Sequence, residues 1–229
     1  MRPSETLAMT KHLKTDLERL ERHLLAIGAR VEDAVRKSIA ALETRRADLA
    51  LEVMAGDPEI DAAEVELEEE CLKVLALHQP VANDLRFVAA CLKINNDLER
   101  IGDLAVNIAE RSAALDRELP FAVPEDLRTM TETAAGMLRT SLDAFVRADA
   151  TLARQVLAED QEVDDAHRRI IGQMVESMKG SSEQVNDALL IVSSSKSLER
   201  IADHATNIAE DVVYMVEGEI IRHKDAPVN

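Results

Sequence analysis

Apolar residues recur along this chain at intervals of three and four, the period of helices that bury one face. The first run covers residues about 5 to 44 and passes Leu17, Leu20, Leu24, Ile27, Val31, Val35 and Leu42. The second, about 47 to 78, stops at His78-Gln79-Pro80, where proline removes a backbone donor and pushes its predecessor out of helix. A third, about 82 to 116, sets Phe87, Cys91, Ile94, Leu98, Ile101, Ala105 and Ile108 in a stripe suited to bundle packing. The segment DRELPFAVPED, around Pro120 and Pro124, then breaks the pattern. Three further helices are predicted at about 125 to 148, 151 to 179 and 182 to 217, the last carrying Ile191, Leu198, Ile201, Ala205, Ile208, Val212 and Met215.

The six helices are two copies of three. A shift of 103 residues lays Val31, Ala34, Ser38, Ile39, Leu42, Leu49, Val53 and Ile60 over Ala134, Met137, Ser141, Leu142, Phe145, Leu152, Val156 and Val163 without a gap. Beyond Pro80 the shift becomes 100, and LERIGDLAVNIAE (98 to 110) lies over LERIADHATNIAE (198 to 210). The prediction is an all-α fold of two tandem homologous antiparallel three-helix bundles, residues 1–118 and 124–229, with a linker at about 117–124.

Composition agrees with helices: apolar residues are 46% of the chain, Trp is absent, and only seven Gly and six Pro serve as turns. The formal charge of −17 would repel phosphate backbones and anionic lipid, so nucleic acid is excluded as the expected partner. No apolar run approaches the roughly 18 to 20 residues of a membrane span, and the N-terminus lacks a signal-peptide core. A cytoplasmic protein without membrane insertion is expected. Cys71 and Cys91 fall in helical apolar patterns and read as core thiols.

The acidic residues carry the chemistry. Residues four apart share a helix face, so Glu99, Asp103 and Asn107 form one row, and Glu199, Asp203 and Asn207 another, both outside the apolar stripe. Asp57 and Asp61 form the same spacing on the preceding helix, as do Asp160 and Asp164. Residues 59 and 101 are equidistant from the turn at Pro80, and residues 162 and 201 from the turn at 181–182. In antiparallel neighbours the pairs therefore meet at one height, about 30 Å from the turn.

A solvated acidic face is the ordinary reading of such rows. These rows, however, stack like charges, and two carboxylates about 6 Å apart repel by ~3 kcal/mol at an effective dielectric near 20. Arg100 and Arg200 point about 100° from their glutamates and neutralise them poorly. Bound cations answer the charge better, and oxygen ligands suit ions such as Mg²⁺, Mn²⁺ and Fe, one or several per site.

Other features weigh less. Asp164 and His167 form a D-x-x-H, without the inward Glu-x-x-His pairs of a ferritin-like centre. His204 is a candidate helper at the second site, but its repeat partner is Leu104, which favours a plain surface residue. Gly56-Asp57-Pro58 predicts a kink or a helix restart at Asp57. No nucleophile with a base, glycine-rich phosphate loop or zinc spacing is present.

D-x-x-x-D on the second helix of each unit and E-R-I-x-D-x-x-x-N-I-A-E on the third resemble the PhoU family of phosphate-transport regulators, over nearly the whole chain. The resemblance implies a non-enzymatic cytoplasmic adaptor, often a homodimer, between the ATPase of the phosphate ABC transporter and the sensor histidine kinase of the starvation response. It would negatively regulate that response when phosphate is plentiful. It also implies divalent or iron ions (Fe, Mn, Mg or Zn), in multinuclear clusters, on Asp57, Asp61, Glu99 and Asp103 and on Asp160, Asp164, Glu199 and Asp203. Asn107 and Asn207 would complete the rows. Two other functions are compatible with the residues: a metal-dependent phosphoester or polyphosphate hydrolase, disfavoured by the lack of an evident general base, and a metal-free structural adaptor.

Overall fold

A computed structural model of the chain describes residues 3–115 and 123–221, with side chains from residue 12 onward. Six α-helices are present among the described residues: α1 (Pro3–Thr44), α2 (Ala47–His78), α3 (Ala82–Ala114), α4 (Glu125–Arg147), α5 (Ala150–Gly180) and α6 (Val185–Glu217). A 3-10 turn, Ser182–Gln184, leads into α6. These bounds lie within a few residues of those read from periodicity. Most of the expected linker at 117–124 lies outside the described residues.

The repeat persists in backbone detail. Arg45 and Ala148, equivalent under the shift of 103, both take left-handed φ values, 57° and 48°, in the turns that end α1 and α4. Such a residue after a helix frees the chain to reverse while capping the last carbonyls. The copies differ one residue further on. Asp149 Oδ1 accepts from the amides of Thr151 (2.9 Å) and Leu152 (3.0 Å), capping α5, whereas Arg46 offers α2 no side-chain cap. Asp149→Ala is expected to lower stability by about 1 kcal/mol. A urea midpoint unchanged from the parent protein would contradict that role.

The restart expected at Asp57 does not occur, because α2 runs unbroken from Ala47 to His78 with Pro58 inside it. Proline removes one amide donor there, and packing against α1 and α3 holds the helix together regardless. Cys71 and Cys91 are free and fully buried, as their pattern predicts. Burial, then the adjoining Cys71, pushes the Cys91 thiol well above its ordinary range.

Each unit is an antiparallel trio, and the two trios share one continuous hydrophobic core. Among the described residues α2 touches only α1 and α3, and α5 packs only against α4, α6 and the short turn. The junction is therefore built mainly by α3 on α6 and by α1 on α4, with a ring contact between α3 and α4 added. Gly28 permits the second contact: a Cβ there would lie 2.5 Å from Leu142 Cδ1. Phe87 of α3 stacks on Phe145 of α4, centroids 5.2 Å apart.

Contacts along α3 and α6 run in opposite directions. Arg86 Nε donates to the carbonyl of Met215 (3.1 Å), Lys93 pairs with Asp211 (2.9 Å), and Arg111 donates to Ser197 Oγ (2.9 Å). The two helices are thus antiparallel where they cross. This crossing is the approximate two-fold of the duplicated chain.

Candidate functional site

The acidic pairs on α2 and α3 come together, and so do those on α5 and α6. In the first unit, burial and then Asp61 and Asp103 raise the Asp57 carboxyl above its ordinary value. Burial and then Asp103 raise Glu99, with Asp61 and Glu64 adding to the effect. Gly102 lies at this contact: a Cβ there would stand 3.5 Å from Ile60 Cγ2 and 4.0 Å from Asp57 Oδ1. The repeat equivalent is Ala202, so the second unit accommodates that extra carbon.

The second cluster is the more strained electrostatically. Asp160 is pushed up to about 6 by burial, then by Asp203, Asp164 and Glu199. Asp203 is raised by burial and then by Glu199, with Asp164 contributing. Equal distance from the turn was a sound guide because both helices of each hairpin are regular and rise alike per residue.

Each cluster has one internal cation. Arg100 Nε lies 3.3 Å from Glu99 and its Nη1 3.5 Å from Asp103, so the arginine reaches its own row despite the angle between their Cβ vectors. A long flexible stem makes that possible. In the second unit the neutraliser is Lys196, 2.6 Å from Glu199 Oε1. Its place one turn before Glu199 on α6 was legible as an i, i+3 pair.

One turn along the helices from the acids, the copies diverge in chemistry. In the first unit Asn95, 1% exposed, donates to the Glu64 carbonyl (2.9 Å) and to Glu64 Oε1 (3.1 Å), while its own Oδ1 has no partner. The equivalent residues are Ser195 and His167, whose Oγ and Nδ1 lie 2.9 Å apart. Burial lowers the His167 pKa, while neighbouring Glu199 and Asp164 oppose that effect. His167 therefore borders the second cluster, a place that the D-x-x-H spacing hinted at.

Asn107 and Asn207 are not drawn into the clusters. Asn107 is exposed and donates to the Asp103 carbonyl of its own helix (2.8 Å). Asn207 donates to Asp97 Oδ1 of α3 (3.3 Å), across the junction between units. Eight residues along a helix is 80° of rotation from the starting glutamate, enough to leave one interface for the next. His204 is not a surface residue either: its Nδ1 lies 2.8 Å from Asp97 Oδ1, with its side chain 18% exposed.

Among the described residues no three His, Cys, Asp or Glu side chains stand together in ligating geometry. The donor chemistry nevertheless fits a hard cation. Oxygen donors from two helices face one another, their carboxyl pKa values are raised by burial and then by one another's charge, and a buried amide oxygen, Asn95 Oδ1, is unpaired beside the first cluster.

Two three-helix units on one core, each carrying a carboxylate cluster between its second and third helices, define a duplicated helical-bundle protein. Among the described residues no helix is long and apolar enough to cross a membrane. The PhoU domain matches the chain twice, at residues 24–112 and 127–212. The chain belongs to the PhoU family.

A phosphate-specific transport system accessory protein PhoU homolog of Pseudomonas putida is 37% identical over 222 residues, covering 96% of this chain and 86% of that protein. A homolog of the same description from Deinococcus radiodurans is 36% identical, covering 92% and 99%. The crystal structure of PhoU from Pseudomonas aeruginosa superposes with a TM-score of 0.85 at 38% identity, covering 90% of this chain and 99% of that one. The phosphate transport system regulatory protein PhoU from Streptococcus pneumoniae gives a TM-score of 0.85 at 28% identity, covering 91% and 99%. These relatives are named accessory and regulatory proteins, not enzymes.

Proposed function

We propose that this chain is a metal-binding regulatory adaptor of a phosphate-uptake system. It links the ATPase of the phosphate ABC transporter to a sensor histidine kinase and holds the starvation response off when phosphate is plentiful. It works in the cytoplasm as a homodimer. The names of its relatives support the transport-system assignment. The observation that carries the metal reading is the pair of repeat-equivalent carboxylate clusters, with Asp160 pushed up to about 6.

Asp57, Asp61, Glu99 and Asp103 would hold the ions of the first cluster, and Asp160, Asp164, Glu199 and Asp203 those of the second. A bound cation supplies positive charge that ties α2 to α3 and α5 to α6. The residues themselves fix where the repulsion is relieved, and Arg100 and Lys196 are the local cations that an ion would release. Released, they become available to an acidic partner surface.

Elemental analysis of protein purified without chelator, with melting curves in Mn²⁺, Fe²⁺, Mg²⁺ and Zn²⁺, tests this reading. Metal is expected to copurify, and an ion at a hundred times its Kd to stabilise by about 2.7 kcal/mol. Absence of metal together with no thermal shift in any ion would falsify the metal assignment. A pulldown in which neither transporter ATPase nor sensor kinase is retained would count against the adaptor role.

A further inference from the structure

We propose that the α3–α6 junction is a binding site for a small phosphoryl oxyanion. A cavity of ≈ 450 Å³ opens there, between the two carboxylate clusters, and all of its lining side chains are polar or charged. Lys93, Asn96, Asp97 and Arg100 form the α3 wall; Arg200, His204 and Asn207 form the wall on α6. In a chain of net charge −17, this lining holds three permanent cations against one carboxylate.

The arginines come from equivalent positions of the repeat, so the approximate two-fold brings Arg100 and Arg200 to opposite walls. A guanidinium is a planar fork matched to phosphoryl oxygens, and two forks from opposite sides can grip one tetrahedral group. Asp97 does not fill that role. Its Oδ1 is engaged by His204 at 2.8 Å and by Asn207 at 3.3 Å, which turns the carboxylate towards α6 and spends its charge locally.

The cations differ in how firmly they are held. Lys93 is paired at 2.9 Å with Asp211, which lies outside the lining, and sits over the Tyr214 ring at 5.5 Å. Arg100 is half exposed and only loosely paired with Glu99 and Asp103, at 3.3 and 3.5 Å. Arg200 is exposed and has neither a hydrogen bond nor an ion pair among the described residues. An unpaired guanidinium in a polar cavity is an anion-ready group, and its partner across the cavity can swing to join it. This site does not depend on the clusters holding metal.

The test uses the full-length protein stripped of metal, at constant ionic strength set with chloride. Inorganic phosphate and pyrophosphate are titrated separately, calorimetrically or by ³¹P line broadening, to distinguish a single phosphoryl group from a linked pair. Saturable binding of at least one probe, one per chain, is expected. Arg200→Gln and Arg100→Gln should each weaken it at least tenfold, while Arg168→Gln, on the distant face of α5, should leave it unchanged. Arg200 has no structural partner among the described residues, so its variant should melt with the parent protein. No saturable binding of either probe, undiminished binding in either arginine variant, or binding only in the presence of a divalent ion would overturn the proposal.

Discussion

Phe145→Ala is expected to cost about 3 to 5 kcal/mol of folding stability, the usual range for emptying a fully buried aromatic site. Phe145 is 1% exposed and is among the largest buried side chains of the core. Its ring stacks on Phe87 at 5.2 Å with 26° between planes, joining α4 of one unit to α3 of the other. For a chain of this length the loss corresponds to a fall of roughly 6 to 20 °C in melting temperature. Phe87 is only partly buried, so Phe87→Ala should cost less. A double-mutant cycle should return a coupling of about 0.5 to 1.5 kcal/mol for the ring pair. A loss below about 1.5 kcal/mol for Phe145→Ala, in a two-state urea melt, would show that the units do not share this core.

Asp160→Asn is expected to change stability in opposite directions with and without metal. In the folded chain Asp160 ionises near 6, against roughly 3.9 for an unfolded aspartate. The folded value is the higher one, so the native state binds more protons between the two. Stability is therefore gained as pH falls through that window and lost as pH rises through about 6. Asp160 is only half-buried, and solvent screening discounts the effect to about 1 kcal/mol.

An asparagine carries no charge at any of these pH values. Metal-free Asp160→Asn should thus be more stable than the parent by about 1 kcal/mol at pH 8, with the advantage fading by about pH 4. With saturating divalent ion the order should reverse, because the parent protein gains the binding energy and the variant loses a ligand. Melting curves at pH 4, 6 and 8, with chelator and with Mn²⁺, check both halves. A metal-free variant less stable than the parent at pH 8 would mean that Asp160 is better solvated than its neighbours imply.

Both predictions rest on features that differ in how far they can be read from residues alone. Helix bounds and the duplication were legible because apolar spacing and turn chemistry are local: Pro80 ends one helix wherever the rest of the chain goes. The meeting of Asp57 with Asp103, and of Asp160 with Asp203, was also legible, since a hairpin of two regular helices pairs residues equidistant from its turn. What happens at Pro58 was not, because a helix held by two neighbours can carry a proline that an isolated one would not.

The packing of one unit on the other lay beyond periodicity. Both α3 and α6 carry apolar residues around much of their circumference, so pattern alone does not say which face meets the second unit. Leu104 is buried and its equivalent His204 is tied to Asp97, yet in sequence the pair looked like a difference between two surfaces. Asn207 left the acidic row for the same junction because 80° of rotation on a helix is the difference between facing α5 and facing α3. Local periodicity and duplication thus specify six helices and two acidic hairpins. The cavity between Arg100 and Arg200 exists only because two such hairpins cross, and a crossing depends on the shapes of whole helix faces.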